Sequence, residues 1–474
     1  MSTPSTVEIN VETALLLQRG SREPRHSLAR TLSQFAVFAL LCGSVLSPGV
    51  HLFAGAPAVH GEVLLLVVCG VAYAWMLLAG VARPPRFHGI FVIAALFCLC
   101  EGISLLYGTL GLHHELLFRD FYELPKAWMP AAFFLIAYEA QLSERALRRL
   151  LDAMAWVTGV VCLYGIAQYF DLGFTFWLNR YYSGGEHHDI ALALYHRVYS
   201  TLANPNVLGQ FLSWTMLAYT LAYLFGVGSR LRNLGIPLAC VVTLVLTGSR
   251  YGLVAVAFGL VLMIGLTLAA GRRATGLLAL LLMIFAFAVV FANVKGAASA
   301  PASRFDELRH PLQVGSLRAR LDDLWLEAEG YIAVSPWLGH GPAKEIFTEV
   351  YTDSEYLDVM KQYGVVGLLA YLAYYVWPLF RYAGVFRAAS GLPPPIQSAV
   401  SANLLLVGIG FEMIGTALIM NIGEFTFYNW ILLGFFWLWI GLSVRSGDFI
   451  RELAACNYVG VGAPDAPRLS YVHS

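Results

Sequence analysis

Arginines at the ends of apolar segments are the residues of this chain best suited to bind an anion. Arg250 follows Thr247-Gly-Ser249 and stands between two apolar runs with almost no loop, so it must lie at or just inside a membrane edge. An arginine held there is costly unless it is paired. It either snorkels to the interface or caps a helix-end carbonyl, or it binds an anion attached to a lipid, because guanidinium groups bind phosphate oxygens with two parallel hydrogen bonds.

Two more arginines are candidates for the same anion. Arg197 precedes the helix start Asn204-Pro205 and has Asp189 as its only obvious local carboxylate, so it is either a loop tether or an anion ligand. Arg320 lies on a predicted helix, where it either pairs with Asp323 three residues further on or binds the anion. Several guanidinium groups at one membrane edge would suit a lipid pyrophosphate, so we predict Arg197, Arg250 and Arg320 as its ligands.

A second group of polar residues belongs to the same predicted face. Arg318 has the spacing to pair with Asp322 on a helix, which competes with a role in binding. The neighbouring acidic residues Asp322 and Asp323 lack the spaced pattern of a metal site, and the histidines lack metal-ligand spacing, so no metal is predicted. The further candidate substrate ligands are Arg119, Arg318, His196 and Tyr356.

Thr352-Asp-Ser-Glu-Tyr-Leu357 contains the best candidates for acid–base chemistry, Asp353 and Glu355. Thr352 and Glu355 have the spacing of a helix capping box, and Asp353 could itself cap the next helix. The alternative is that one of the two carboxylates is a general base that takes a proton from an acceptor sugar hydroxyl. We predict Asp353 and Glu355 as the catalytic pair.

The composition indicates a membrane protein. Of 474 residues, 58% are hydrophobic and 13% are charged, whereas soluble domains carry about 25% charged residues. The formal net charge is zero, which gives no electrostatic basis for binding nucleic acid. A helix needs about 20 apolar residues to cross a bilayer. We predict an all-α polytopic membrane protein with twelve transmembrane helices near 33–55, 62–82, 89–109, 124–140, 150–170, 205–227, 232–248, 251–270, 274–294, 364–384, 397–420 and 425–444.

Basic residues set the predicted orientation. Every second connecting segment contains at least two arginines, and the short segments between them contain few or none, so both termini are predicted to be cytoplasmic. Two long loops would then be periplasmic, and the later one would form a helical cap. The predicted units are a cytoplasmic tail at 1–32, helices 1–9 within 33–294 with a loop near 171–204, the cap at 295–363, helices 10–12 within 364–444, and a cytoplasmic tail at 445–474.

The predicted cap has internal structure. Ser316 is placed to cap a helix that carries an apolar stripe from Leu317 to Ile332. The turn-rich segment Ser335–Pro342 follows, and a short helix is predicted over 343–350. These elements could fold back onto the membrane surface.

Five motifs in order resemble the O-antigen ligase and O-antigen polymerase superfamily. The resemblance covers roughly residues 190–370, and the helix count with its large late loop fits the rest of the chain. The motifs are Arg197–Gly209, Leu246-Thr-Gly-Ser-Arg-Tyr-Gly252, Arg320 with Trp325, Pro336-Trp-Leu-Gly-His-Gly-Pro342, and Asp353-Ser-Glu-Tyr-Leu357 followed by Gly364-Val-Val-Gly367.

This resemblance implies a metal-independent, inverting glycosyltransferase without a cofactor, on a multi-helix membrane fold of the glycosyltransferase C kind. The implied donor is a glycan on undecaprenyl pyrophosphate at the periplasmic face of the bacterial inner membrane. Arg197 and Arg250 match the arginines expected to hold the pyrophosphate, and Arg320 matches the arginine that begins the cap-helix motif. The implied partners are the donor, a glycan or lipid acceptor, the bilayer and a chain-length regulator.

Three functions fit these features. Ligases of the superfamily usually have a histidine where this chain has Asp353-Ser-Glu355, which favours a polymerase that extends lipid-linked repeat units. A ligase that transfers glycan to lipid A core or to a protein is the alternative in the same class. A transporter is the alternative in another class, since Glu101 and Glu412 lie inside apolar segments. The absence of a detectable repeat between the halves of the chain disfavours it.

Overall fold

The computed structural model of this protein describes residues 24–50, 59–79, 88–140, 142–182, 186–269, 318, 320–347, 352–423 and 430–462. These residues are almost entirely helical, which confirms the all-α polytopic class; a short antiparallel pairing joins β1 (Gly49–Val50) to β2 (Val59–His60). Within the described residues, 7 helices are long and apolar enough to cross a membrane, and two shorter helices are also apolar. The ninth predicted span, 274–294, lies outside the described residues.

The described residues up to Tyr195 form eight α-helices. The first ends at Leu46 and not at 55 as predicted, because Pro48 disfavours helical backbone at the residue before it. The predicted span 124–140 is divided into two shorter helices, the second of which starts with Pro130 in its first turn. The helices are α1 (Pro24–Leu46), α2 (Gly61–Leu78), α3 (Gly89–Leu110), α4 (Glu123–Lys126), α5 (Met129–Glu139), α6 (Glu144–Tyr169), α7 (Gly173–Tyr182) and α8 (Glu186–Tyr195).

The second half contains the cap and the remaining long helices. The helix predicted over 364–384 begins nine residues earlier, at Glu355, and the helix predicted over 425–444 continues to Gly462. Of the short helix predicted over 343–350, the structure describes four residues. The helices are α9 (Pro205–Phe225), α10 (Arg230–Thr247), α11 (Arg250–Ala269), α12 (Trp325–Val334), α13 (Lys344–Phe347), α14 (Glu355–Tyr382), α15 (Val385–Ser390), α16 (Pro394–Ala399), α17 (Ser401–Met420) and α18 (Trp430–Gly462).

Helix α9 is the centre of the bundle and packs against α10, α11 and α17. Glycines let α9 and α11 cross closely: a Cβ on Gly252 would lie 3.1 Å from the carbonyl oxygen of Gly209, and one on Gly209 would lie 2.7 Å from the Ser249 side chain. Ser213 of α9 donates its hydroxyl across this crossing to the carbonyl oxygen of Gly252 in α11 at 2.9 Å. The first turns of α9 and α11 are therefore fixed against each other.

A break in α14 is filled by the cap. Gly364 has a φ of 64°, which interrupts the helical hydrogen bonds. The backbone N–H groups of His340 and Gly341 donate to the carbonyls of Lys361 and Gln362 at 3.0 and 2.7 Å. Inside a membrane protein, irregular backbone is tolerated where other protein segments satisfy it. The glycine-rich segment Ser335–Pro342 is thus hydrogen-bonded into the helical bundle.

Candidate functional site

The turn between α10 and α11 places Arg250. Gly248 ends α10 in the left-handed conformation, with a φ of 60°. Ser249 then caps α11, because its hydroxyl accepts the backbone N–H of Gly252 at 3.2 Å. Arg250 is consequently the first residue of α11 and is half-buried there. Its position at a helix N-terminus adds the positive end of the helix dipole to its own charge.

Arg197 is held against the same turn. Its Nε donates to the carbonyl of Thr247 at 3.0 Å, and its Nη2 donates to the side-chain oxygen of Asn206 at 3.0 Å. The Arg197 side chain also passes close to Gly248, where an added Cβ would lie 3.5 Å from Nε. Asn204 caps α9 as predicted, accepting the N–H of Asn206 at 2.7 Å. The structure therefore brings Arg197 to the residues directly before Arg250.

Arg320 reaches the start of α11 from the cap. Its Nη1 donates to the hydroxyl of Tyr251 at 2.9 Å, and its guanidinium carbon lies 5.1 Å from the centre of that ring. Its Nη2 lies 2.9 Å from Oδ2 of Asp353. The sequence suggested a local pair of Arg320 with Asp323. The structure instead pairs Arg320 with Asp353, which lies 33 residues later, directly before α14.

Strained backbone is concentrated beside these side chains. His196, Ser200 and Ala203 flank Arg197 and have φ values of 48°, 52° and 62°, and Asp353 has a φ of 51°. For residues other than glycine such conformations cost about 1–3 kcal/mol each and tend to occur at functional sites. The strain therefore supports a functional assignment for the two segments that carry Arg197 and Asp353.

Asp353 and Glu355 lie in different environments. The Asp353 side chain is 33% exposed. Glu355 is fully buried at the start of α14, and its backbone N–H donates to the carbonyl of Asn421 at 3.0 Å. Asn421 in turn donates from Nδ2 to the hydroxyl of Tyr371 at 2.7 Å. Ser354 occupies the N-cap position of α14 without a side-chain capping bond, so neither Thr352 nor Asp353 has the capping position considered from the sequence.

The remaining predicted ligands are dispersed. Arg119 donates to the carbonyl of Lys344, where the loop after α3 meets the cap. Arg318 is exposed to solvent, and the ring of His196 packs edge-on against Tyr169 at 6.0 Å. The hydroxyl of Tyr356 donates to the carbonyl of Leu418 in α17 at 2.6 Å. The observed contacts thus bring Arg197 and the Arg320–Asp353 pair to the residues on either side of Arg250. Arg119 and Tyr356 instead bond to backbone carbonyls, and His196 packs against a ring.

The contact between the cap and the loop after α3 is a separate ionic cluster. Glu123 is buried between the ammonium groups of Lys126, at 2.7 Å, and Lys344, at 3.0 Å. Burial alone would raise the pKa of Glu123, but the two ammonium groups outweigh it and lower that pKa. The carboxylate is therefore held in its charged form and pins α13 to α4.

The two carboxylates inside spans are both buried. In the part of the chain that the structure describes, the side-chain oxygens of Glu101 and Glu412 make no hydrogen bond. Glu101 faces the region of Glu123 and Lys126, whereas Glu412 lies in α17. Neither residue joins the arginine cluster through an observed contact.

Comparison with known protein families identifies the domain that carries this site. A family model described as O-antigen ligase matches residues 235–372. Over this stretch the chain is similar to the O-antigen ligase family, in agreement with the resemblance seen in its motifs. No curated protein matches the chain. The matched stretch of the O-antigen ligase domain includes Arg250, Arg320, Asp353 and Glu355, whereas Arg197 precedes it.

Two residues of the candidate site were missed from the sequence. Tyr251 bonds to Arg320, and Asn206 accepts a hydrogen bond from Arg197. Tyr251 follows Arg250 directly in the sequence, so its place at the helix start could have been noticed. Gly423 also contributes, because a Cβ there would lie 2.0 Å from the Tyr251 hydroxyl. A glycine at that position gives the tyrosine its room.

Proposed function

We propose that this protein is a membrane glycosyltransferase that polymerises oligosaccharide repeat units linked to undecaprenyl pyrophosphate, as an O-antigen or exopolysaccharide polymerase does. The observation that carries the proposal is the arrangement of Arg197, Arg250 and Arg320 around the turn that begins α11. Guanidinium groups and a helix N-terminus together favour a diphosphate.

The diphosphate would be the leaving group. An acceptor hydroxyl oxygen forms a bond to the anomeric carbon of the donor sugar, and the bond from that carbon to the phosphate oxygen breaks with inversion. The electron pair goes to the lipid diphosphate, whose added charge the three arginines stabilise. Donors oriented toward developing charge in a site shielded from water often supply the largest part of catalysis.

Asp353 is the better placed of the two proposed bases. Its partial exposure lets a sugar hydroxyl approach, and Oδ2 of its carboxylate pairs with the Arg320 guanidinium. Diphosphate binding to Arg320 would compete for the guanidinium and leave Asp353 available to accept the proton of the acceptor. Glu355 is fully buried beneath it, so we assign Glu355 a positioning role through Asn421 and the N-terminus of α14.

The proposal also includes an orientation of the protein in the membrane. The proposed site gathers the starts of α9, α11 and α14, while arginines of the opposite helix ends pair with Asp152 and Asp448. If the arginine-rich connections are cytoplasmic, the diphosphate site is periplasmic in the inner membrane. In this arrangement both termini are cytoplasmic, and ATP is not needed at the site because the donor carries the energy of the reaction.

Reconstitution tests the proposal. The purified protein in lipid vesicles should convert a defined undecaprenyl-pyrophosphate-linked repeat unit into a ladder of longer lipid-linked products. Arg250→Ala should abolish the ladder and still yield folded protein, and Arg230→Ala, at the opposite end of α10, is the matched control that should retain it. A wild-type protein that binds the donor and forms no glycosidic bond would contradict a transferase.

The ligase remains the second candidate, because the description of the matching family model is O-antigen ligase. A ligase would transfer glycan to lipid A core or to a protein. The same vesicles supplied with lipid A core separate the two: a single transfer to the core without a ladder indicates a ligase, and a ladder without core modification indicates a polymerase.

A further inference from the structure

Helix α7 presents an aromatic surface outside the proposed site. Phe174, Phe176, Trp177 and Tyr181 are each more than half exposed, with Phe176 at 72%. Single exposed apolar residues are ordinary, but a contiguous group of large aromatic side chains indicates an interaction surface. Aromatic rings of this kind are enriched where membrane lipid meets water.

The aromatic surface continues the lipid-facing side of α6. On that span Trp156, Val160 and Leu163 are exposed at helical spacing, and Phe170 follows them just beyond its end. Helix α7 begins three residues later at Gly173. The exposed side of a transmembrane helix in a polytopic membrane protein meets lipid, so the α7 surface adjoins an existing lipid interface.

Polar contacts hold α7 at the helix ends. The side-chain oxygen of Asn179 accepts hydrogen bonds from Tyr164 and from Gln168 of α6, both at 2.7 Å. The hydroxyl of Tyr182 donates to the carbonyl of Leu46 at the end of α1. These contacts hold α7 to the protein through Asn179 and Tyr182, whereas the four aromatic side chains remain more than half exposed.

We propose that α7 is an interfacial helix whose aromatic face (Phe174, Phe176, Trp177 and Tyr181) is embedded in the lipid surface at the rim of the bundle. Arg180 supports a lipid occupant: it lies on the same helix, with its guanidinium carbon 5.3 Å from the Phe176 ring, where it can meet headgroup phosphates. An amphipathic helix with aromatic residues and a cation binds a bilayer by this combination of apolar burial and charge.

The lipid surface is connected to the arginine cluster. Gln168, which bonds to Asn179, also accepts the backbone N–H of Ser200 at 2.7 Å through its side-chain oxygen. Ser200 belongs to the strained segment that carries Arg197. On the basis of the proposed function, a lipid-linked donor that arrives along the membrane would pass α7 before its diphosphate reaches Arg197.

Depth-dependent fluorescence quenching tests the surface without relying on activity. In a background without native cysteines, an environment-sensitive fluorophore is placed at position 177 by Trp177→Cys, and at an exposed site of the cap helix by Glu329→Cys. We expect headgroup-labelled lipid in nanodiscs to quench position 177 several-fold more than position 329, and aqueous iodide to show the reverse. Phe176→Cys is the second labelling site if the first variant does not fold.

Equal quenching by iodide at positions 176, 177 and 329 would overturn the proposal. Asn179→Ala adds an arm that depends on the proposed function: loosening α7 should raise KM for the lipid-linked donor several-fold at unchanged kcat. If lipid quenching is seen and this KM is unchanged, the membrane-anchoring surface stands and its part in donor approach is rejected. A protein without transferase activity still gives the quenching result, so the two failures are distinguishable.

Discussion

The ion pairs of Asp448 and Asp353 with arginine lie at opposite helix ends, and they are built differently. At the end opposite the proposed site, Asp448 is 9% exposed and accepts hydrogen bonds from Arg381, Arg451 and Tyr138 at 2.6 to 2.9 Å. At the proposed site, Asp353 is 33% exposed, has strained backbone, and receives both of its observed bonds from Arg320 on one oxygen, Oδ2.

This difference separates a pair suited to a structural role from a pair suited to the proposed catalytic role. A buried carboxylate with several donors is a fixed joint between helices, here α5, α14 and α18, and breaking it exposes uncompensated charge. A half-exposed carboxylate with one partner can exchange that partner for a ligand. Substitution of Asp448 should therefore lower the free energy of unfolding. Substitution of Asp353 or Arg320 should instead lower the rate of glycan transfer.

The largest expected change in the free energy of unfolding is at Asp448. Asp448→Ala leaves Arg381 and Arg451 without their shared carboxylate, and we expect a loss of about 3 kcal/mol, at the lower end for a buried pair because both arginines are partly exposed. Unfolding of the purified protein in mixed micelles measures it. Asp353→Ala should cost far less in the same assay, and comparable losses for the two variants would remove the distinction.

The next effect is on catalysis at Arg320. Arg320→Ala removes one ligand of the leaving diphosphate, and we expect turnover of the lipid-linked donor to fall by about 10²–10³-fold. Gel analysis of the glycan products with equal amounts of folded protein measures it. Arg451→Ala is the matched control from the other pair. If its folded fraction turns over as slowly as Arg320→Ala, the arginines at the proposed site have no special role.

Particular residues show how much of the proposed site could be predicted from the sequence. Arg250 was placed correctly at a helix edge because the loop around it has almost no length. The convergence of Arg197 and Arg320 on that edge depends on Thr247, Asn206 and Tyr251, which are up to 69 positions apart from their partners in sequence. Local spacing instead suggested Asp323 as the partner of Arg320. Long-range ion pairs are set by tertiary packing, which helical periodicity does not encode.

The fold shows the same limit at its irregular points. Apolar runs of about 20 residues predicted the long helices, but the two pieces α4 and α5 and the break at Gly364 were not predicted. The break persists because Ser335–Pro342 bonds to the interrupted backbone of α14. The segment that supplies these hydrogen bonds lies more than twenty residues earlier in the chain, so no local sequence pattern predicts the break.

A smaller effect is expected at Tyr251, which holds Arg320 in place. Tyr251→Phe removes one hydrogen bond to Nη1 and keeps the ring under the guanidinium. The loss of one such bond costs about 0.5–1.5 kcal/mol, so KM for the donor should rise by about two- to tenfold while kcat changes little. Steady-state kinetics in vesicles measures it. A fall in kcat with unchanged KM would mean that Tyr251 acts on the reaction itself and does not position Arg320.

The smallest effect concerns pH at the cap, away from both ion pairs. His114 Nε2 lies 2.9 Å from His340 Nδ1, and His340 Nε2 lies 2.8 Å from the carbonyl of Tyr331. Because a carbonyl only accepts, His340 Nε2 donates to it, and Nδ1 of a neutral His340 accepts from His114. Burial, and then the neighbouring His340, lower the pKa of His114 from its usual 6.5, against a weaker opposing effect of Glu345.

This lowered pKa sets the sign of the pH dependence. The unfolded chain binds the His114 proton more tightly than the folded chain, so stability is full above about pH 6.5 and falls as the pH drops through the lowered folded value. Hydrogen exchange of the α13 backbone, compared at about pH 7.5 and about pH 5, should show faster opening in acid. His114→Gln should weaken the response, whereas exchange around Asp448 should stay slow at both values. Equal acid sensitivity of the variant and the wild type would show that the His114–His340 pair does not control the opening of α13.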